Sequence, residues 1–216
     1  MKGIIFTQKD ARGFIFFSLE LPEDFPPSLF ISSTKSFDSL TSLCNLSNIN
    51  PEDIVSAEQV HGARIKVVRS KDRGKNLPQC DAFVTEEINI PLLVRTADCV
   101  PIFILDKVMP AIGLIHAGRR GSLGEILPKT METMREAFDT EAKNCIIAMG
   151  PSIGPCCYEL DLIQLNELQA IEAGVKKENI VSAGLCTSCN ETLFHSWRRD
   201  GEETGRLYSI AMLKER

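Results

Sequence analysis

Histidine is scarce in this 216-residue chain: there are three, His61, His116 and His195. Any imidazole chemistry falls to these. Long apolar runs are missing as well. Apolar residues make up 44% of the chain, yet no run approaches the roughly 20 residues of a membrane-spanning helix. The first residues, MKGIIFTQKDARGF, lack the apolar core and small-residue cleavage site of a secretory signal, which predicts a cytoplasmic protein. A basic excess is also absent, since 24 Lys and Arg face 29 Asp and Glu for a net charge of −5. That argues against non-specific binding of nucleic acid or anionic membrane, which needs a basic surface. No repeat, low-complexity tract or linker interrupts the sequence, so residues 1–216 read as one domain.

Cysteine is plentiful, at positions Cys44, Cys80, Cys99, Cys145, Cys156, Cys157, Cys186 and Cys189. A chain of this length buries enough apolar surface to need no disulfide staples. In a reducing cytosol these side chains read as free thiols or metal ligands. Cys186 and Cys189 form a C-x-x-C with no second C-x-x-C and no thioredoxin-like helix start. Cys156 and Cys157 are adjacent, a spacing that favours one buried and one exposed thiol over two ligands of one metal.

The patterning alternates strands and helices, which predicts an α/β or α+β fold. Strands are expected at 13–19, on both sides of the His61-Gly62 turn within 54–68, and at 81–85, 91–96, 111–115, 145–149 and 204–213. The run Cys99–Leu105 is almost wholly apolar, as in a strand buried on both faces. Ser122 and Glu125 have capping-box spacing ahead of an apolar stripe reaching Phe138. Pro128 makes that helix start later or kink. Residues 161–173 read as an amphipathic helix ended by Gly174.

Three metal-capable side chains fall at strand ends beside turns: His61 in QVHG, Cys99 in TADC and His116 in HAGRRG. No local zinc-finger spacing links them. Two imidazoles and a thiolate could give zinc three ligands and leave a fourth position open, as hydrolytic sites require. Taken one by one, a histidine in a turn is usually a hydrogen-bonded structural residue and a cysteine before a strand a small core residue.

The ordered set QVHG, TADCVPI, IHAGRRG, GPSIGPCCYEL and CTSC…FHSWRRDGEETGR resembles the YfiH/laccase-domain family, from about Ser56 to Met212. Members were once called multicopper polyphenol oxidases and are described as purine nucleoside phosphorylases with adenosine deaminase activity. The resemblance implies a mixed-sheet α/β sandwich like that of cytotoxic-necrotizing-factor-type cysteine hydrolases. It implies a zinc ion held by His61, Cys99 and His116. It also implies purine nucleoside and phosphate as the small-molecule partners. The chain departs from the family at Arg119, where Trp is usual, while Arg120 keeps the family arginine. Gln8 in FTQKD stands where an N-terminal arginine is usual, and the segment after Glu159 is short.

On this reading Asp98, beside Cys99, is a candidate to orient a ligand or shuttle a proton. Arg120 is the candidate phosphate or ribose contact, with Arg119 beside it; a solvated loop pair is the alternative. Arg198 and Arg206 face the ligand or make structural ion pairs, and Trp197 packs. A metal-free cysteine hydrolase would use Cys99 as nucleophile with His116 or His61 as base. A non-enzymatic ligand-binding protein is a further alternative. Copper is the lesser cofactor candidate, because three histidines cannot build a multicopper centre. The cytidine-deaminase signature H-x-E…P-C-x-x-C is absent.

Overall fold

The computed structural model describes residues 4–215. The chain runs through β1 (Ile5–Ala11), β2 (Phe14–Glu20), β3 (Ser28–Ser33), α1 (Leu40–Ser47), β4 (Val55–Ala57), β5 (Ile65–Val67), β6 (Asn76–Leu77), β7 (Ala82–Thr85), β8 (Leu92–Thr96), β9 (Val100–Asp106), β10 (Ala111–Ala117), α2 (Arg119–Leu123), α3 (Ile126–Phe138), β11 (Cys145–Met149), α4 (Leu162–Glu172), β12 (Ile180–Ser182), α5 (Trp197–Asp200) and β13 (Leu207–Leu213). The strands form two mixed sheets, ordered β1-β2-β3-β13-β8-β4-β6 and β12-β11-β9-β10-β7-β5.

Both faces of the second sheet are covered. On β9, Phe103 and Leu105 pack between the sheets with Phe30, Phe83 and Ile112. The alternate residues Val100, Ile102 and Ile104 pack instead with Leu127, Met131 and Met134 of α3 and Leu162 of α4. All seven β9 residues are buried, which is why its sequence is a continuous apolar run with no in–out alternation. Ile31, Leu93, Ile210 and Met212 on the outer face of the first sheet are covered by Phe37 and by Leu43 and Cys44 of α1.

Several expected elements differ in detail. Ser122 does not cap α3; it lies inside α2 and its amide donates to the Gly118 carbonyl. Glu125 takes the cap position in a left-handed conformation, φ 59°. Pro128 then falls in the first turn of α3, where its missing N–H leaves no helical bond broken. The helix at 161–173 is capped by Asp161, whose side chain accepts from the Gln164 amide at 3.0 Å. Its faces are not the apolar and polar pair expected: Leu168 and Ile171 are exposed while Asn166 and Gln169 are buried. Those two amides dock the helix, donating to the Ser122 hydroxyl at 2.9 Å and the Ser122 carbonyl at 2.8 Å. Strands β1, β3, β6 and β12 and helices α1 and α5 are not expected from the patterning. β1 is a polar edge strand, IFTQKDA, that forms a hairpin with β2 through Arg12 and Gly13, both at positive φ.

The topology brings distant residues to one end of the sandwich. β4 and β8 are parallel neighbours in the first sheet. Each is followed by a crossing to the second sheet, β4 leading to β5 and β8 to β9. His61 lies on the first crossing and Cys99 on the second. The β9–β10 register pairs Ala117 with Val100 and His116 with Pro101, so His116 arrives beside Cys99.

Candidate active site

At the mouth of these crossings lies a cleft of about 550 Å³, within the size range of small-molecule sites. His61, Cys99 and His116 line it. Their ligand atoms all lie within 4.8 Å of one another, and the two imidazole rings meet edge-on with centroids 4.8 Å apart. Two nitrogens and a sulfur so gathered can hold a soft or borderline cation such as zinc.

The arrangement is held from behind by Asp81, a residue that sequence reasoning missed. Asp81 is fully buried. One of its oxygens lies 2.8 Å from Nδ1 of His116 and accepts from the His61 amide at 2.9 Å. The other accepts from the Gly62 amide at 2.8 Å and the Val60 amide at 3.3 Å. A single carboxylate thus fixes both the His116 ring and the loop carrying His61, which itself sits at φ 58°. Burial opposes ionisation of Asp81, but the bonds from His116, Gly62 and His61 outweigh it and hold the carboxyl below its usual range. Gln59 braces the same loop, donating to the Arg95 carbonyl at 2.7 Å and accepting from the Arg95 amide at 2.8 Å.

Burial also opposes ionisation of Cys99. Hydrogen bonds and charge from His116 and His61 outweigh it and bring the thiol down to about 6. His116 moves the other way: burial disfavours its charge, but Asp81 and Cys99 raise it to about 9. With no metal bound, these opposed shifts favour a thiolate facing an imidazolium. Gly118 lets these groups meet, since a Cβ there would lie 2.8 Å from Cys99 Sγ and 3.4 Å from Cδ2 of His61.

The remaining candidates divide. Asp98 lines the cleft, but both its oxygens are engaged, accepting from the Thr187 hydroxyl at 2.7 Å and the Arg198 amide at 2.6 Å. Its geometry is that of a residue positioning the wall. Arg119 lines the cleft and pairs with Glu159. Arg120 is exposed and is not among the lining residues, which reverses the order expected from the sequence: α2 begins at Arg119, and its first residue is the one turned to the cleft. Trp197, expected to pack, is 48% exposed and lines the cleft with Tyr158, Arg198 and Arg206. The Arg206 guanidinium lies 5.7 Å from the Trp197 ring centroid, and that of Arg198 lies 5.7 Å from Tyr158. Arg199 points away and braces the 187–194 loop through the carbonyls of Thr187, Ser188 and Phe194. His195 packs against Gly205, outside the lining residues.

Fold and site together define a mixed α/β double-sheet protein with a histidine–cysteine cluster at one end of its sandwich. The multi-copper polyphenol oxidoreductase laccase family matches residues 37–161 and 159–214, and the chain belongs to that family. It is 33% identical over 198 residues to the purine nucleoside phosphorylase YlmD of Geobacillus stearothermophilus, covering 74% of this chain and 72% of the relative. It is 29% identical over 198 residues to adenosine deaminase RL5 of an unknown prokaryotic organism, covering 74% of this chain and 75% of the relative. The crystal structure of YlmD from Geobacillus stearothermophilus superposes with a TM-score of 0.89 at 28% identity, covering 98% of this chain and all of that one. Among the described residues no helix is long and apolar enough to cross a membrane.

Proposed function

We propose that this chain is a metal-dependent enzyme of purine nucleosides, cleaving the glycosidic bond with phosphate, deaminating adenosine, or both. The observation that carries the reading is the gathering of His61, Cys99 and His116 at the base of a cleft large enough for a nucleoside, in a chain related to proteins named for these two activities. The donor set fits zinc, whose contribution when bound is Lewis-acid activation of water or of a substrate oxygen. Copper fits less well, because one cluster with two histidines is no multicopper centre.

The chain's own residues supply the rest. Asp81 holds His116 with Nδ1 turned inward, which leaves Nε2 as its ligand atom. Tyr158 and Trp197 offer aromatic faces to a purine ring. Arg95, Arg119, Arg198 and Arg206 ring the cleft and offer planar donors to phosphate and ribose oxygens. Asp98 holds the Arg198 backbone and the Thr187 loop against the site. It is the one carboxylate among the lining residues, and with both oxygens already accepting hydrogen bonds its part is to position the wall.

A second reading has its own support. Cys99, His116 and Asp81 stand in the order nucleophile, base and orienting carboxylate, with the thiol near 6. Freed of metal, they have the makings of a cysteine hydrolase. Metal content separates the two. Protein purified without a histidine tag should contain zinc, convert adenosine, lose turnover on chelation and regain it with Zn²⁺. Phosphate dependence then divides phosphorolysis from deamination. Turnover that survives complete removal of metal would favour the thiolate nucleophile.

A further inference from the structure

Four cysteines outside the cleft meet at one point. Cys156 and Cys157 follow the Gly-Pro turn after β11, and Cys186 and Cys189 lie in the loop after β12. All four sulfurs lie within 4.8 Å of one another. Cys189 Sγ is 3.4 Å from both Cys156 Sγ and Cys157 Sγ. Adjacency in sequence thus does not keep Cys156 and Cys157 from facing a common centre.

A disulfide and a cation are the two ways to use such a cluster. A disulfide joins two sulfurs at about 2.0 Å and excludes the others. Here Cys189 is equidistant from two partners, and all four residues are free thiols. A tetrahedral zinc centre with Zn–S near 2.3 Å sets its sulfurs about 3.8 Å apart. Four sulfurs mutually inside 4.8 Å enclose a volume suited to one such ion and too small for a multi-iron cluster. The donors are all sulfur, with no carboxylate or imidazole in the group, which selects against magnesium and calcium. The Gly154 amide donates to Cys186 Sγ at 3.3 Å, the outer-shell bond expected of a ligating thiolate.

We propose that Cys156, Cys157, Cys186 and Cys189 form a tetrathiolate zinc site, separate from the histidine–cysteine cluster, that staples together the two loops walling the cleft. Four protein ligands close the coordination shell, so the site is structural and leaves no position for substrate. Its four thiols give up their protons on binding. The two loops already touch: the Thr187 amide donates to the Ser152 carbonyl at 3.0 Å and the Ser152 amide to the Leu185 carbonyl at 3.3 Å. One loop supplies Ile153 and Tyr158 to the cleft, and the other holds Asp98 through Thr187 and leads into Trp197 and Arg198. Zinc at their junction would fix the wall without touching the reaction.

The test starts from the full chain carrying Cys99→Ala, which empties the cleft cluster and makes the count independent of the proposed reaction. After loading with Zn²⁺ and dialysis, this variant should hold one zinc per chain, and adding Cys189→Ser should abolish it. No zinc in the Cys99→Ala variant, or iron in its place, overturns the proposal. A second measurement covers misfolding of the double variant. In zinc-loaded wild-type protein these four cysteines should resist iodoacetamide until a chelator is added, then label together, as mapped by peptide mass. Labelling without chelator, or a disulfide among them in a non-reducing peptide map, overturns the proposal as well.

Discussion

The fully buried Asp81 carboxylate lies 2.8 Å from Nδ1 of His116, behind the cleft, and through its two oxygens it clamps the backbone from Val60 to Gly62. The carboxylate is therefore the common support of both histidines. Asp81→Asn keeps the shape but puts an NH₂ group where donors already converge. Metal affinity at His61, Cys99 and His116 should fall about 10–100-fold, the usual cost of losing an outer-shell partner. Unfolding free energy should drop by roughly 1–3 kcal/mol, for a buried hydrogen-bonded group left mismatched. Competition with a chromophoric chelator and denaturant melts would measure the two effects; unchanged metal affinity would refute the support role.

The thiol of Cys99 provides a pH-dependent signal in metal-free protein. It ionises at about 6 against an ordinary value of 9.0. Its alkylation rate, followed on the Cys99 peptide, should rise through pH 6 and be flat by pH 8, where an ordinary thiol is still climbing. His116→Gln removes the strongest group favouring the thiolate and should move the midpoint back up. Stability should respond less. The depressed Cys99 value contributes stability that is full above 9.0 and lost as pH falls to about 6. The raised His116 value contributes stability that is full below 6.5 and lost as pH rises through about 9. Between 6.5 and 9 the two slopes oppose each other, so the melting temperature of the metal-free form should vary little there. A steep dependence would mean that the two groups do not share a proton-exchanging pair.

Gly118 is a steric test of the same centre. Its backbone, φ −86° and ψ 179°, suits any residue, so a substitution is opposed only by what its Cβ meets, chiefly Cys99 Sγ at 2.8 Å and then Cδ2 of His61 at 3.4 Å. Gly118→Ala should push Cys99 off its position, lowering metal affinity and turnover at least tenfold while costing about 1–3 kcal/mol of stability. Unchanged metal binding and rate would mean that the three ligand atoms do not need their present spacing.

Much of this arrangement was legible in the sequence, and the gaps have physical causes. Strands β9 and β10 declared themselves because both their faces are buried and their sequences are apolar without alternation. β1 did not, because an edge strand reading IFTQKDA carries no periodic signal. His61, Cys99 and His116 stood out by residue type beside turns. Asp81 did not, since one acidic residue among 29 Asp and Glu looks like any other until the β5–β7–β10 register sets it behind His116. The four cysteines were visible as two separate pairs, and adjacency argued against Cys156 and Cys157 as ligands of one metal; their convergence was not legible, because the parallel pairing of β11 with β12 that aligns their two loops is a long-range contact with no local pattern.

Arg119 and Arg120 give the sharpest contrast between sequence and structure. The family motif singles out Arg120, yet Arg119 is the residue in the cleft, on the first turn of α2, while Arg120 is exposed and outside the lining residues. Arg119 pairs with Glu159, and Tyr158 and Glu159 keep its guanidinium charged. That pair is on the surface, so breaking it should barely alter stability. A nucleoside or phosphate entering the cleft can take over the guanidinium as a charge-assisted donor. Arg119→Ala should therefore weaken substrate or phosphate binding by about 1–3 kcal/mol, roughly five- to 150-fold in KM, with zinc content unchanged. Arg120→Ala should leave KM, kcat and zinc content at wild-type values. Adenosine turnover at varied phosphate would decide which half-reaction depends on Arg119: a rise confined to the phosphate KM places it on the anion, and a rise in the adenosine KM places it on the nucleoside. Damage from Arg120→Ala with none from Arg119→Ala would restore the assignment suggested by the motif and would require α2 to rotate when substrate binds.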